Sequence, residues 1–239
     1  MKEKGPGLVR ILFVGDIVGK PGRLVLRELL PQLIGSRQID FASGNHIWRK
    51  KEIEPYLKNS ERVLRPANYP PGVVGKGDAV LSTAGGIAVG ILNLEGRVFM
   101  RPLECPFRAA NDLVGKLSEK ASILIVDFHA EATSEKQALG WYLDGRVSAV
   151  VGTHTHVQTA DEQIRSSGTA YITDVGMTGP TDSIIGIKKE EAIAQLISQT
   201  PKKFTAAKGD RQLQAVLLDV SPEDGHTRVI ERICKKLDS

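Results

Sequence analysis

The sequence predicts an α/β fold, a mixed-sheet sandwich with helices on both outer faces. Short apolar runs typical of buried strands alternate with amphipathic helical segments in the first part of the chain. Glycine turns then join strand-like runs into hairpins, in the middle and at the end of the chain. Crossovers through helices produce parallel neighbours and hairpins produce antiparallel ones, so both kinds in one chain favour a mixed sheet.

Strands are predicted where aliphatic and β-branched residues run between turn residues. The pair Gly85-Gly86 separates two such runs and predicts a hairpin. The run that ends at His129 is the most strand-like in the chain. The predicted strands are residues 10–14, 39–42, 78–83, 87–93, 122–129, 148–152, 169–173, 213–220 and 227–233.

Helices are predicted where apolar residues recur at helical spacing. Pro21 suits a first helical position, and Pro55 is expected to bend or shorten its helix. Ser134 and Gln137 form a capping-box pattern that opens the helix after the most strand-like run. The predicted helices are residues 23–30, 50–58, 109–117, 134–143 and 188–197.

Length and composition predict one domain over residues 1–239, without internal repeat or linker. No apolar run is long enough to span a bilayer, and the N-terminus lacks the apolar core of a signal peptide. Cys105 and Cys234 match no metal or redox spacing, which favours a reducing cytoplasm. A net charge of +4 suits a phosphate-bearing ligand but is too small to indicate nucleic acid, so we expect no stable DNA partner.

The stretch Val151-Gly152-Thr153-His154-Thr155-His156 indicates a metal site. In an extended chain successive side chains alternate between faces, so His154 and His156 are expected to point the same way. Two imidazoles at a strand end can hold neighbouring metal ions, or one ion and a substrate oxygen. A pair of ordinary surface histidines is the alternative.

Other polar residues follow the other apolar strands, where open α/β sheets place their sites. Asp16, Asn45 with His46, and His129 each stand at such a strand end, as His154 and His156 do. Each signal is weak alone, since Gly-Asp and Gly-Asn also form ordinary turns. Together they predict an oxygen and nitrogen site for Mn, Fe or Zn rather than for Ca or Mg.

These motifs resemble the calcineurin-like metallophosphoesterases, whose signature is GD, GNH and GHxH. Longer blocks resemble the bacterial YmdB-like branch of that family and together cover nearly the whole chain. They are GDIVGKPGR from Gly15, GNHIW from Gly44, RPANYP from Arg65, DFHAEATSEK from Asp127, GTHTHVQTAD from Gly152 and YITDVGMTGP from Tyr171.

The resemblance implies an enzyme, a metal-dependent phosphodiesterase acting on 2′,3′-cyclic nucleotides or RNA ends. Asp16 and His156 would ligate one divalent ion, and Asn45, His129 and His154 a second, with Fe or Mn preferred and Zn the third candidate. A hydroxide held between the metals would attack phosphorus in line, and His46 would protonate the leaving oxygen. Similar proteins are often homo-oligomers.

One sequence block that members of this family carry is absent from this chain. Relatives carry a further βα unit before GNH, and its GEN motif supplies the glutamate that bridges the two ions, whereas here Gln38-Ile39-Asp40-Phe41 leads straight into Ser43-Gly44-Asn45. Either the printed sequence lacks this segment or the deletion is real and the protein is a mononuclear or inactive relative. Asp127 is a candidate to replace the bridging carboxylate, but orienting a neighbouring ligand is the favoured interpretation.

Two other functions stay open. The first is a non-catalytic regulatory or RNA-binding relative that keeps the fold and has lost one metal. The second is an HxH hydrolase of the amidohydrolase type, but those proteins place HxH on an early strand of a barrel. Here HxH comes late and after GNH, so this function ranks lowest.

Overall fold

The structure, a computed structural model, describes residues 4–39, 41–44, 57–58 and 62–237. These residues form two mixed β-sheets. The first sheet contains β1 (Val9–Val14), β2 (Asp16–Ile17), β3 (Phe41–Gly44), β10 (Met177–Pro180), β11 (Arg211–Val220) and β12 (Thr227–Leu237). The second contains β4 (Asp78–Ser82), β5 (Ala88–Glu95), β6 (Ile123–His129), β7 (Ala149–Thr153), β8 (Gln163–Ile164) and β9 (Ala170–Ile172).

In the first sheet the order is β2-β10-β11-β1-β3, and β12 pairs with the other side of β11. β1 lies antiparallel to β11 and parallel to β3, with Val14 beside Gly44. In the second sheet the order is β4-β5-β6-β7-β9-β8. Its central strands, β5, β6, β7 and β9, are parallel, and the predicted hairpin β4-β5 lies at its edge.

Four longer helices are described: α1 (Gly19–Arg37), α2 (Pro106–Ser118), α3 (Thr133–Tyr142) and α4 (Lys189–Ser198). α1 buries Val25, Leu29 and Leu33, which recur every four residues and therefore share one helix face. α3 occurs where the sequence predicts a helix, but its N-cap is Ala132 without a side-chain capping bond, so the predicted capping box is not formed. No helix of the described chain has the length and hydropathy needed to cross a membrane.

Three apolar clusters confirm the predicted sandwich with helices on both outer faces. The first lies between the sheets and joins Ile11 and Phe13 of β1 to Ile125 of β6. The second packs α2 and α3 against the outer face of the second sheet, and the third packs α1 against the outer face of the first. The layered arrangement is stable because the apolar faces of the helices and sheets are buried against one another.

The inner face of the second sheet changes from apolar to polar towards the carboxyl ends of its parallel strands. The register pairs Ile91 with Ile125, and both face the core between the sheets. Further along, the same face presents the residues that we call the polar edge: Asn93, Glu95, Asp127, His129 and Thr153. Paired residues of neighbouring strands share a face, so these side chains meet at one edge.

The segment between α1 and β3 is short. Only residues 38–40 separate the helix from the strand, and β3 pairs directly with β1. The strand that precedes Asn45 lies parallel to β1 and next to it.

Candidate active site

Asp16 lies opposite the polar edge, at the start of β2. Its side chain is buried, and its Oδ2 atom accepts a hydrogen bond of 2.8 Å from the backbone N–H of His154. Its Oδ1 atom is also buried and has no hydrogen-bond partner among the described residues. Buried polar atoms are normally hydrogen-bonded, so an acceptor left without a donor is where a cation fits.

The electrostatic surroundings of Asp16 point the same way. Burial raises the pKa of its carboxyl well above the ordinary value, and the charges of Asp127 and Asp174 raise it further. The His154 N–H group and the Lys136 ammonium lower this pKa, but they do not offset the burial. A divalent cation beside the carboxylate would favour the charged form and reverse the direction of the shift.

The backbone at His154 and His156 differs from the sequence prediction. β7 ends at Thr153, and the two histidines have φ angles of 102° and 65°. Strand alternation therefore does not bring them together, and that argument was wrong. Non-glycine residues in this region of φ cost of order 1–3 kcal/mol each and persist only where the surroundings hold them. The loop instead folds around Asp16.

His156 presents the form of imidazole that binds a metal. Its Nδ1 atom lies 2.9 Å from the carbonyl oxygen of Ile185, which can only accept, so Nδ1 carries the proton and donates. In the neutral ring the lone pair is then on Nε2, and this atom lies 3.5 Å from Oδ2 of Asp16. The structure thus brings together the two residues that the resemblance assigns to one metal ion.

His129 is fixed in the same tautomer by a chain of two hydrogen bonds. The hydroxyl of Thr153 donates its single proton to Oδ1 of Asp127 at 3.0 Å. The Thr153 oxygen must then accept from Nδ1 of His129, which lies 3.0 Å away. In the neutral ring the lone pair of His129 is then on Nε2. Asp127, which also accepts from Asn93 at 3.0 Å, is thus connected through Thr153 to His129 and fixes the orientation of its ring.

His154 lies between His129 and a glutamate. Its Nδ1 atom is 3.0 Å from Nε2 of His129, with the rings edge to face, and its Nε2 atom is 3.0 Å from Oε2 of Glu131. Within the part of the chain that the structure describes, no three His, Cys, Asp or Glu side chains stand in a ready metal-binding arrangement. A cation bound by His154 would therefore replace one of its two contacts.

Glu95 is a candidate site residue that the sequence reasoning missed. The predicted strand ends at Asn93, but β5 continues to Glu95, which pairs with His129 in the register. Burial raises the pKa of the Glu95 carboxyl, the hydrogen bond from Tyr69 and the charge of Arg101 lower it, and His154 lowers it further. The rule that places polar residues at strand ends would have found Glu95 had the strand been extended by two residues.

Two predicted site residues, Asn45 and His46, lie outside the described residues. The other four, Asp16, His129, His154 and His156, come together from three separate strand ends. Oxygen and nitrogen donors of this kind suit Mn, Fe or Zn. The donor set, the orphaned Asp16 oxygen and the two fixed tautomers all fit divalent metal ions.

Sequence comparisons relate the chain to known proteins. A model of the family described as YmdB-like protein matches residues 41–233. The 2′,3′-cyclic-nucleotide 2′-phosphodiesterase of Bacillus subtilis (strain 168) is 43% identical over 255 residues, covering 94% of this chain and 96% of that protein. This alignment is longer than the 239 residues of the chain. It therefore contains positions for which the chain has no residue, as a missing βα unit requires.

Structural comparisons agree. A crystal structure of a hypothetical protein from Thermus thermophilus matches with a TM-score of 0.84 and 40% identity, covering 95% of this chain and 99% of that one. A crystal structure of a phosphatase from Mycoplasma pneumoniae matches with a TM-score of 0.88 and 30% identity, covering 96% and 94% of the two chains. The similarity extends over the whole fold.

Proposed function

Because this chain belongs to the YmdB-like protein family, we propose that it is a phosphodiesterase that uses divalent metal ions to hydrolyse 2′,3′-cyclic nucleotides. The observation that carries the proposal is the approach of His129 and His156 to the buried carboxylate of Asp16. Nε2 of His156 lies 3.5 Å from Oδ2, and Nδ1 of His129 lies 4.0 Å from Oδ1. The name of the Bacillus subtilis relative supports the substrate class.

The proposed ligands fall into two groups. Asp16 and His156 would hold one ion, and His129 and His154 would hold the other together with Asn45. When bound, the ions supply Lewis-acid chemistry, because they withdraw electron density from the phosphate and lower the pKa of water. The donor atoms favour Fe or Mn, with Zn as the third candidate.

The chain's own residues prepare this site. The Asp127–Thr153 pair keeps the proton of His129 on Nδ1 and leaves Nε2, the atom beside His154, as the metal-binding nitrogen. The Ile185 carbonyl does the same for His156, whose Nε2 lies beside Asp16. Glu95 and Glu131 add negative charge close to His154, which attracts cations. We assign His46 the role of proton donor to the ribose oxygen that leaves phosphorus, since its position follows the proposed ligand Asn45.

We further propose that the protein works in the cytoplasm as a homo-oligomer on cyclic nucleotides or RNA ends, without a stable DNA partner. Exposed apolar side chains on α4 support the oligomer, because exposed apolar surface favours association. Ile193, Leu196 and Ile197 on this helix are 47%, 66% and 79% exposed.

Purified protein tests the proposal directly. Metal-free enzyme is reconstituted with Mn²⁺, Fe²⁺ or Zn²⁺ and assayed on 2′,3′-cyclic AMP and bis(p-nitrophenyl) phosphate, while bound metal is counted per chain. We expect hydrolysis that the His129→Ala and His46→Ala variants lose and the His226→Ala variant keeps, since His226 lies in a distant exposed turn. Nucleotide binding with about one metal per chain and no turnover would instead indicate the regulatory relative.

A further inference from the structure

A buried ion pair lies next to residues 154–156, which we call the histidine loop. Nζ of Lys136, on α3, donates to Oδ2 of Asp174 at 2.8 Å. Both side chains are almost fully enclosed, with exposed fractions of 1% and 0%. Two charges removed from water in this way carry a large desolvation cost, and such pairs are often no better for stability than apolar residues of similar volume. The pair therefore calls for an explanation other than stability.

Lys136 reaches Asp174 by passing over Gly152, the residue that begins the GTHTH motif. A Cβ atom on Gly152 would stand 3.1 Å from Cδ of Lys136 and would overlap the carbonyl oxygen of Thr173. The absence of a side chain at this position thus makes room both for the lysine and for the backbone of Thr173, which precedes Asp174. Gly152 and Lys136 lie in different sequence blocks, and the structure joins them in one arrangement.

One oxygen of Asp174 holds the histidine loop. Besides Lys136, Oδ2 accepts from the backbone N–H of Thr155 at 3.0 Å and from the Thr155 hydroxyl at 2.7 Å. Thr155 stands between His154 and His156, the two residues with left-handed backbone. Backbone strain of this kind persists only where the surrounding structure maintains it. Asp174 provides this support by accepting two hydrogen bonds from Thr155, the residue between the two strained histidines.

The other oxygen of Asp174 holds the loop next to Asp16. Oδ1 accepts from the backbone N–H of Gly176 at 2.8 Å. The carbonyl oxygen of Gly176 in turn accepts from the backbone N–H of Asp16 at 2.9 Å. One carboxylate is therefore connected to the histidine loop through one oxygen and to the start of β2 through the other.

We infer that Lys136 and Asp174 are positioning residues that set the two histidines of the loop at the correct distance from Asp16. The inference rests on the proposed function, because the position matters through the metal ions that these residues would bind. Both side chains are almost fully buried and act through the backbone of the loop. Lys136 donates to Asp174 and fixes the orientation of its carboxylate, and Asp174 supplies the two connections.

The test removes the pair without leaving an unpaired charge. In the double variant Lys136→Met/Asp174→Asn the amide offers one acceptor atom and one donor atom, so it can serve Thr155 or Gly176 but not both. The matched control is Arg10→Met/Asp219→Asn, which removes another buried pair, with exposed fractions of 4% and 1%. Arg10 lies near the opposite end of β1 from Asp16.

We expect the double variant to melt close to the wild type but to bind Mn²⁺ about 10–100-fold more weakly in calorimetric titration. The control should keep the wild-type affinity. Hydrogen exchange of the Thr155 amide, measured without metal, should become at least tenfold faster in the double variant and stay unchanged in the control. Wild-type affinity together with wild-type exchange at Thr155 would overturn the inference.

Two further results keep the test decisive. If the wild type neither binds Mn²⁺ nor hydrolyses phosphodiesters, the proposed function fails, while exchange at Thr155 still decides whether the pair holds the loop. If the double variant does not fold, Thr155→Val removes one bond to Asp174 without changing any charge. A weaker Mn²⁺ affinity in that variant supports the positioning role, and an unchanged affinity overturns it.

Discussion

Asp16 and His154 are joined by a hydrogen bond of 2.8 Å from the backbone N–H of the histidine to Oδ2 of the aspartate, although they lie 138 positions apart in the chain. The bond connects the start of β2 in one sheet to the loop after β7 in the other. It leaves the second oxygen of Asp16 buried without a described donor. Burying a charged carboxylate with one oxygen unsatisfied lowers the stability of the metal-free protein.

The Asp16→Asn variant should therefore stabilise the metal-free protein at neutral pH. Because the pKa of Asp16 is raised on folding, the folded state binds more protons, and stability falls as pH rises from about 4 through the raised pKa. Asparagine has no proton to lose. We expect the melting temperature of Asp16→Asn at pH 7, with EDTA, to exceed the wild-type value. The increase should be about 2–4 °C for each kcal/mol that the substitution adds to the free energy of unfolding.

The pH series supplies the check on this prediction. At about pH 3, below the pKa of an unfolded aspartate, the carboxyl of Asp16 is largely protonated in both states, so the advantage of the variant should shrink towards zero. The exposed Asp112→Asn substitution on α2 serves as control and should leave the melting temperature unchanged at each pH. A wild type that is as stable as Asp16→Asn at pH 7 would contradict the prediction.

Thr153→Val should weaken metal binding while preserving the fold. Valine has nearly the shape of threonine but cannot join Asp127 to His129, so the His129 tautomer is no longer fixed. Loss of such a supporting hydrogen bond typically weakens metal affinity about 10–100-fold. Titration with Mn²⁺ measures the change.

Thr169→Val is the matched control for Thr153→Val. Thr169 is equally buried, and its hydroxyl donates to the Val147 carbonyl, away from the histidines. Both variants should lose about 1–3 kcal/mol of stability, because each leaves buried polar groups unsatisfied. Only the first should lose affinity, and equal affinities would count against the tautomer argument.

Gly152→Ala should severely destabilise the protein. The added Cβ would overlap the carbonyl oxygen of Thr173, which is backbone and cannot rotate away. We expect a loss above about 3 kcal/mol, seen as a lower melting temperature in a thermal scan. In contrast, Gly115→Ala on α2 meets no atom within 4 Å and should gain about 0.5–1 kcal/mol. A tolerated Gly152→Ala would show that the backbone at Thr173 can move away from β7.

Glu95→Gln should lower the affinity for divalent cations at low ionic strength. The glutamate shares the sheet face of His129 and interacts electrostatically with His154, so its charge attracts a cation bound there. We expect a decrease of less than about tenfold that shrinks as salt is added. The exposed Glu104→Gln substitution makes the same change of charge and should have little effect. Equal affinities for the two variants would place Glu95 outside the site.

Much of the fold and of the site could be read from local patterns. Apolar runs at Ile11–Val14 and Ile123–Phe128 identified strands β1 and β6, and their polar endings identified Asp16 and His129. The hairpin β4-β5 followed from Gly85-Gly86. Glu95 was missed because the boundary of β5 was placed two residues early, and strand boundaries depend on tertiary pairing more than on composition.

The sequence by itself determined the residue types at the strand ends and the order of strands and helices, because these depend on local hydrophobic period and turn chemistry. Only the tertiary structure decided how His154 and His156 approach Asp16. The sequence argument used strand alternation, but the loop has left-handed backbone and is held by Asp174. That carboxylate is 19 residues away from Thr155 and its lysine partner comes from α3, so no local pattern could have revealed the connection.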